Sequence, residues 1–235
     1  MIYRSFCIVL TLFLIQWGQY IASRHTDATT AFGRMTSSGD YHLLSWDMQA
    51  QAGNWEISRY DALLREVGEQ EGHDWRLLSA IAYKESRFEA DVVSRRGAIG
   101  LMQIMPAVAR SYNVEGQMVA DPRTNVTLAA KVLTAIERSL RFSRSTPRED
   151  RMRIVLAGYN SGVGHVLDAR KLAAKYGADP NSWEDVSAYL SLKSDPAYAS
   201  DEVVSCGSFN GSSETLAFVD GVMGKYKIYC NRVRQ

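Results

Sequence analysis

From residue 57 onward the apolar positions of this chain recur at helical spacing, and strand-like alternation is nearly absent. Tyr60, Leu63, Leu64 and Val67 share one face of a helix expected over 57–67, which Gly72 ends. Asp74 suits the N-cap of a second helix, expected over 75–86. Along it Leu78, Ile81, Ala82 and Glu85 fall at i, i+3, i+4 and i+7, so Glu85 continues the apolar stripe instead of facing water. A turn-rich stretch leads to a short helix over 106–112, opened by Pro106. Asp121-Pro122 opens a longer one, with Val126, Ala129, Ala130, Leu133 and Ile136 on one side. Residues 143–150 read as a charged, proline-containing connection. Helices are expected over 151–159, 162–176 and 183–192, followed by a Gly/Ser/Asn loop over 206–213. A last helix, over 214–229, carries the stripe Leu216, Val219, Val222, Met223 and Tyr226. This is the pattern of a mainly α single domain over 56–231, with a tail at 232–235.

The N-terminus differs in kind. Arg4 precedes an apolar run from Phe6 to Ile15, the layout of a secretory signal. The run is shorter than the roughly 20 residues a spanning helix needs. Extended through Trp17 and Tyr20 to Ala22, it approaches that length. Residues 1–23 are therefore expected to be a signal peptide or an N-terminal anchor, with membrane association in the second case. Residues 24–55 show no sustained period and read as a linker or arm. Export to the periplasm or cell envelope follows from this segment.

The chain has 235 residues, enough for one sizeable core, and its 46% hydrophobic and 23% charged content is ordinary. A net charge of +1 with scattered basic residues argues against a nucleic-acid partner. A monomer is expected. Export also changes how the cysteines read. Cys7 lies inside the apolar run, which leaves Cys206 and Cys230 as an even pair in an oxidising compartment. A bridge would close a loop of about 25 residues and contribute on the order of 3 kcal/mol; two free thiols are the alternative.

His25, His42, His73 and His165 are isolated from one another and from cysteine, so neither a metal site nor a cofactor is expected. His165, in a Gly-Val-Gly-His run at a helix start, reads as a surface or capping residue. That leaves carboxylates. A charged Glu on an apolar stripe is costly unless paired or neutral. Glu85 either bends out to solvent or a basic partner, or sits partly buried with its pKa raised toward about 6. In the second case it can protonate a glycosidic oxygen. Gly97, Gly100 and Gln103 then recur at intervals of three. The glycines allow close backbone approach to a ligand, and Gln103 offers a donor and an acceptor for a sugar. The same run also suits a packed turn, with Leu101, Met102 and Met105 in the core.

Several motifs in series, Glu85-Ser86-x-Phe88, Gly97-Ala98-x-Gly100-Leu101-Met102-Gln103-Ile104-Met105-Pro106, Ala157-Gly158-Tyr159-Asn160-x-Gly162 and Glu214-Thr215-x-x-Phe218-Val219, resemble the soluble lytic transglycosylase (SLT) domain. Asp74-Trp75-Arg76-Leu77-Leu78 and Gly164-His165-Val166-Leu167-Asp168-Ala169-Arg170 are similar to the membrane-bound lytic murein transglycosylase F group within it. The resemblance implies a lysozyme-like fold of the goose-type/SLT kind and cleavage of peptidoglycan glycan strands between N-acetylmuramic acid and N-acetylglucosamine. It implies one catalytic carboxyl, Glu85, and a 1,6-anhydro product. Ser94 and Gln103 match the family's contacts to the reacting sugar, Met105 its apolar wall, Tyr159 the hydroxyl aimed at acid and substrate, and Glu214 a cleft residue of the last helix. Phe218 departs from the tyrosine more frequent at its position. The transglycosylase F group usually carries an N-terminal solute-binding domain, for which residues before Ile57 leave no room. Two other functions remain open. A lysozyme- or chitinase-like hydrolase would recruit Glu89, Asp91 or Asp121 as second carboxylate. A non-catalytic glycan-binding module would have no use for Glu85.

Overall fold

The computed structural model describes residues 56–233. The expected leader over 1–23, the arm over 24–55 and Cys7 lie outside them. Helix α1 spans Asp61–Glu71. It starts later than its apolar face suggests because the Asp61 carboxylate accepts from the backbone N–H groups of Glu56, Ile57 and Ser58 at 2.8–2.9 Å. These donors fold the entering segment around the helix start. Gly72 ends α1 in the left-handed region, φ 76°, a conformation that costs a glycine nothing. Helix α2, Trp75–Ser86, matches its expected span, with Asp74 accepting from the Arg76 N–H. Then come α3 (Pro106–Ser111), a 3-10 turn (Gly116–Val119) and α4 (Pro122–Leu140), the last capped by Asp121.

Helix α5 spans Arg148–Ser161, so the last three residues of the expected connection are helical. Glu149 and Asp150 occupy its first turn, where negative charge complements the helix dipole; counted as linker charges, they hid the start. Helices α6 (Val163–Lys175) and α7 (Trp183–Leu192) agree with the periodicity, and a short α8 (Pro196–Ala199) was not foreseen. Helix α9 runs Ser212–Arg232, longer than its stripe at both ends. Val233 beyond it is buried, so the packed unit extends past residue 231.

α9 lies against α2 and α5, α1 packs on α2 and α4, α5 on α4 and α6, and α6 on α7. Leu63, Leu78, Ile81, Leu133, Ile154, Val219 and Val222 meet in the shared core. Polar clamps fix the helix ends. The Asp74 carboxylate takes hydrogen bonds from Arg76 Nε and Nη2 at 2.9 and 2.7 Å and from Tyr226 Oη at 2.8 Å. Burial pushes Asp74 toward protonation, but these donors prevail and its pKa lies below the ordinary value. Arg76 Nη1 also donates to the Val233 carbonyl at 3.0 Å, tying the start of α2 to the end of α9.

A second clamp is charged and dry. Lys193 is 0% exposed and Asp168 1%, with Nζ 2.9 Å from Oδ2. The carboxylate also accepts from the N–H groups of Ser205 and Cys206 at 3.0 and 2.7 Å. Lys193 Nζ lies 3.1 Å from His165 Nδ1. An ammonium only donates, so that nitrogen accepts. His165 also stacks on Phe209, with centroids 4.5 Å apart. It is therefore a half-buried acceptor and not a surface cap. Burial and Lys193 lower its pKa, against the pull of Asp168. Cys206 and Cys230 are both free thiols, the second of the two alternatives that the sequence left open. Cys206 is held beside Asp168, and Cys230 neighbours Tyr226 and Arg76.

Asp168→Ala strands a buried ammonium and should cost about 3–5 kcal/mol. Urea unfolding of variant and parent measures it; equal midpoints would show that the pair is solvated in solution.

Candidate active site

The site is built from the last turn of α2, the doubled-back stretch between α2 and α3, the end of α5 and the first turn of α9. Helix α2 carries Glu85 on the stripe that also buries Leu78, Ile81 and Ala82. Its carboxyl is largely withdrawn from solvent. Burial raises its pKa from 4.5 to about 8; nearby Lys84 opposes this and Glu214 adds to it. Glu85 is thus mostly protonated at neutral pH, further up the scale than the sequence suggested.

The stretch after α2 folds back twice through the antiparallel bridges Val93–Ile99 and Ile99–Ile104. Ile99 and Ile104 exchange both backbone bonds, at 3.0 and 2.9 Å. Three helices hold this double turn. Ser86 Oγ of α2 donates to the Leu101 carbonyl at 2.9 Å, and Tyr159 Oη of α5 to the Met102 carbonyl at 2.8 Å. Asn125 of α4 is fully buried and makes three bonds. Its Oδ1 accepts from the Met102 N–H at 2.7 Å, and its Nδ2 donates to the carbonyls of Ile99 and Val119 at 2.9 and 2.8 Å. Gly100 sits against this amide at φ 80°; a Cβ there would lie 2.8 Å from Asn125 Nδ2. The close approach that Gly100 permits is therefore to Asn125. Leu101 and Met102 plug the core beneath.

Ser94 closes the first turn. Its Oγ accepts from the Ala98 N–H at 2.9 Å, which leaves the hydroxyl proton free to donate. Gln103 holds a left-handed φ of 49° and donates through Nε2 to the Val92 and Gly100 carbonyls at 3.2 and 3.0 Å. Both amide protons are thereby spent on the turn. Oε1, with no hydrogen-bond partner among the described residues, is the atom left for a ligand. Met105 caps α3 and is 40% exposed, an apolar surface beside the turn. Tyr159 is half-buried, near enough to Glu85 to feel its charge; burial of the hydroxyl and that carboxyl drive its pKa well above 10. Its hydroxyl, expected to point at the acid, instead donates to Met102. Glu214 lies exposed in the first turn of α9, near enough for its charge to act on Glu85. Thr215 Oγ1 donates to Asn160 Oδ1 at 2.9 Å and fixes that turn against α5. The structure thus gathers Glu85, Tyr159 and Glu214, with Ser94, Gln103 and Met105 on the adjoining turn. Asn125 was missed. Its signal was a polar side chain beside the apolar stripe of α4, four residues after the cap Asp121.

The sequence profile of the transglycosylase SLT domain matches residues 62–181. The chain belongs to that family. The SLT profile spans every helix named here from α2 to α6 and stops before α9, which carries Glu214. Relatives named membrane-bound lytic murein transglycosylase F include one from Pseudomonas fluorescens, 39% identical over 57% of this chain and 27% of its own length. Another, from Cellvibrio japonicus, is 31% identical over 92% of this chain and 40% of its own. The chain thus spans less than half the length of either relative. Among solved structures, the 70 kDa soluble lytic transglycosylase of Escherichia coli aligns with TM-score 0.51 at 22% identity, over 73% of this chain and 24% of its own. An inactive mutant of lytic transglycosylase Slt from Pseudomonas aeruginosa aligns with TM-score 0.50 at 21% identity, over 79% and 26%. The mainly helical, lysozyme-like fold of the SLT domain is thereby established.

Two measurements probe the site. Glu85 binds its proton more tightly folded than unfolded, so stability should fall as pH rises from 4.5 to about 8. Glu85→Gln has no charge to bury. It should match the parent at pH 4 and exceed it by on the order of 2 kcal/mol at pH 9, as read by thermal melts. Asn125→Ala strands one N–H and two carbonyls and should lose about 2–4 kcal/mol, with the Met102 amide becoming open to hydrogen exchange.

Proposed function

We propose that this SLT domain is a lytic transglycosylase, a lyase that cuts the β-1,4 bond between N-acetylmuramic acid and N-acetylglucosamine in peptidoglycan without water. The observation that carries this is a single half-buried carboxyl, Glu85, protonated near neutral pH beside an ordered wall. The names of the relatives support it.

A proton donor must hold its proton at working pH and yield it to the leaving oxygen. A pKa of about 8 leaves Glu85 loaded at pH 7. Donation to the glycosidic oxygen breaks the bond to C1 and leaves an oxocarbenium-like muramoyl ring, supported by its own acetamido group. Glu85 is then a carboxylate in a poorly solvated place, hence a strong base. It takes the proton of the muramoyl C6 hydroxyl as that oxygen closes on C1. The 1,6-anhydro ring forms and Glu85 ends protonated again, so atoms and charge balance without water. Lys84 steadies the transient carboxylate, and Glu214 sharpens its basicity. Gln103 Oε1 and the Ser94 hydroxyl are placed to accept from and donate to the sugar, with Met105 as an apolar rest.

The hydrolase alternative needs a held water and usually a second carboxylate to activate it. Asp121 is committed to the start of α4, accepting from Thr124 N and Oγ1, both at 2.8 Å. Glu89 and Asp91 are exposed to solvent. A peptidoglycan substrate is consistent with a place in the cell envelope. No described helix is long and apolar enough to cross a membrane.

Digestion of purified peptidoglycan, read by mass spectrometry, should give muropeptides lighter by one water than hydrolysed ones. A purely hydrolysed set would defeat the proposal. Glu85→Gln should reduce turnover by on the order of a hundredfold or more while retaining binding to insoluble peptidoglycan.

A further inference from the structure

Residues 201–209 form a strap that lies along α6 and leads into α9. The strap has no regular secondary structure, and none of its residues is fully buried. Its holding points on α6 are His165, Asp168, Lys171 and Lys175, which share one face of the helix. Lys175 Nζ donates to both carboxylate oxygens of Asp201 at 2.9 Å. Lys171 Nζ donates to the Val203 carbonyl and to Ser205 Oγ, each at 3.4 Å. Asp168 accepts from the N–H groups of Ser205 and Cys206. The last point is a ring: Phe209 stacks on His165, and its N–H donates to the Lys193 carbonyl at 3.0 Å. The strap thus runs antiparallel to α6, held at each turn by polar groups until Phe209. That ring also touches the residue before α9, since a Cβ on Gly211 would lie 3.0 Å from Phe209 Cζ. Phe209 is wedged between His165 and the start of the last helix.

We propose that this strap is an acid-released latch: protonation of His165 lets go of Phe209 and frees the chain that enters α9. The device goes beyond the proposed function and does not depend on it. Hydrogen-bond sense sets the chemistry. His165 Nδ1 accepts from Lys193, so the proton of the neutral ring is on Nε2. A second proton enters at Nδ1 and puts two cations 3.1 Å apart. Asp168 is the carboxylate at hand, and it already serves Lys193 and two backbone amides. Lys171, 3.7 Å from Asp168, adds positive charge. Burial raises the pKa of the Cys206 thiol, which therefore stays neutral and supplies no counter-charge. Helices α4 and α5 also pack on α6, and among the described residues they bring no charge to bear on the ring. His165 is half-buried, so the imidazolium escapes by turning outward, and Phe209 loses the surface it stacks on.

The sign follows from the two states. With the strap closed, burial and Lys193 hold His165 below the ordinary value of 6.5. With it released, the ring titrates near that ordinary value. The closed form binds fewer protons, so closure is complete above pH 6.5 and weakens as pH falls through it. Glu214 sits in the first turn of α9, so release loosens the edge of the candidate site.

Cys206 is a built-in reporter, held in the strap beside Asp168. The test uses the full chain with Cys7→Ser and Cys230→Ser, which leaves Cys206 as its one thiol. Labelling by 4,4′-dithiodipyridine, which reacts with thiols in acid, is measured at pH 7.5 and pH 5. Each rate is divided by that of N-acetylcysteine at the same pH. The normalised rate should rise on the order of tenfold at pH 5, as expected for release linked to one proton. Adding His165→Asn keeps an acceptor for Lys193 and removes the titration; its rate should stay within about twofold. Hydrogen exchange of the Ser205 and Cys206 amides in the unsubstituted protein, corrected for intrinsic rates, should rise in parallel and decides the matter alone if the Asn variant does not fold. An unchanged normalised rate, an equal rise in the Asn variant, or loss of helical circular dichroism at pH 5 would each overturn the proposal.

Discussion

The amide of Asn125 is the point on which this site turns. One side chain, buried among apolar helices, satisfies the N–H of Met102 and the carbonyls of Ile99 and Val119. Without it, a stretch that contributes little regular structure would bring unsatisfied backbone into the core. With it, Leu101 and Met102 enter the core as plugs and the rest of the stretch stays outside as a wall. Gly100 is the geometric counterpart, since any larger residue would occupy the space of the amide. Ser86 and Tyr159 then pin the same wall from two other helices. Preorganisation of this kind lets one carboxyl act without a partner.

The electrostatics follow from that packing. Burial holds Glu85 in its neutral form, and fixed charges tune the effect without reversing it. Lys84 is the one that favours ionisation. Its side chain lies along α9 at Gly221, where a Cβ would approach the amine at 3.1 Å. The helix that supplies Glu214 therefore also makes room for the lysine that opposes it. An acid tuned from both directions holds its proton at neutral pH and takes it back once it has been given away.

Helical periodicity made most of the fold legible, including the exact span of α2 and the stripe that aims Glu85 inward. The linear pattern could not show contacts closed over distance. Asn125 meets Met102 across 23 residues, and a polar residue within a helix carries no local mark of its partner. Gln103 was recognised as polar and well placed, yet its donors are consumed by Val92 and Gly100, which only the double turn reveals. Tyr159 was found by motif, and its hydroxyl partner was misjudged for the same reason. His165 and the two cysteines were judged by type and compartment. Their real surroundings, a buried Lys193–Asp168 pair and the Tyr226–Arg76 corner, arise where separate helices meet. The start of α5 was hidden because first-turn acids and linker acids look alike in sequence.

The bond from Arg76 to the Val233 carbonyl joins residues 157 positions apart. The start of the helix that carries Glu85 is thus fastened to the residue that follows the last helix. A change around Val233, distant in sequence from every residue of the site, is felt first at the helix that bears the acid.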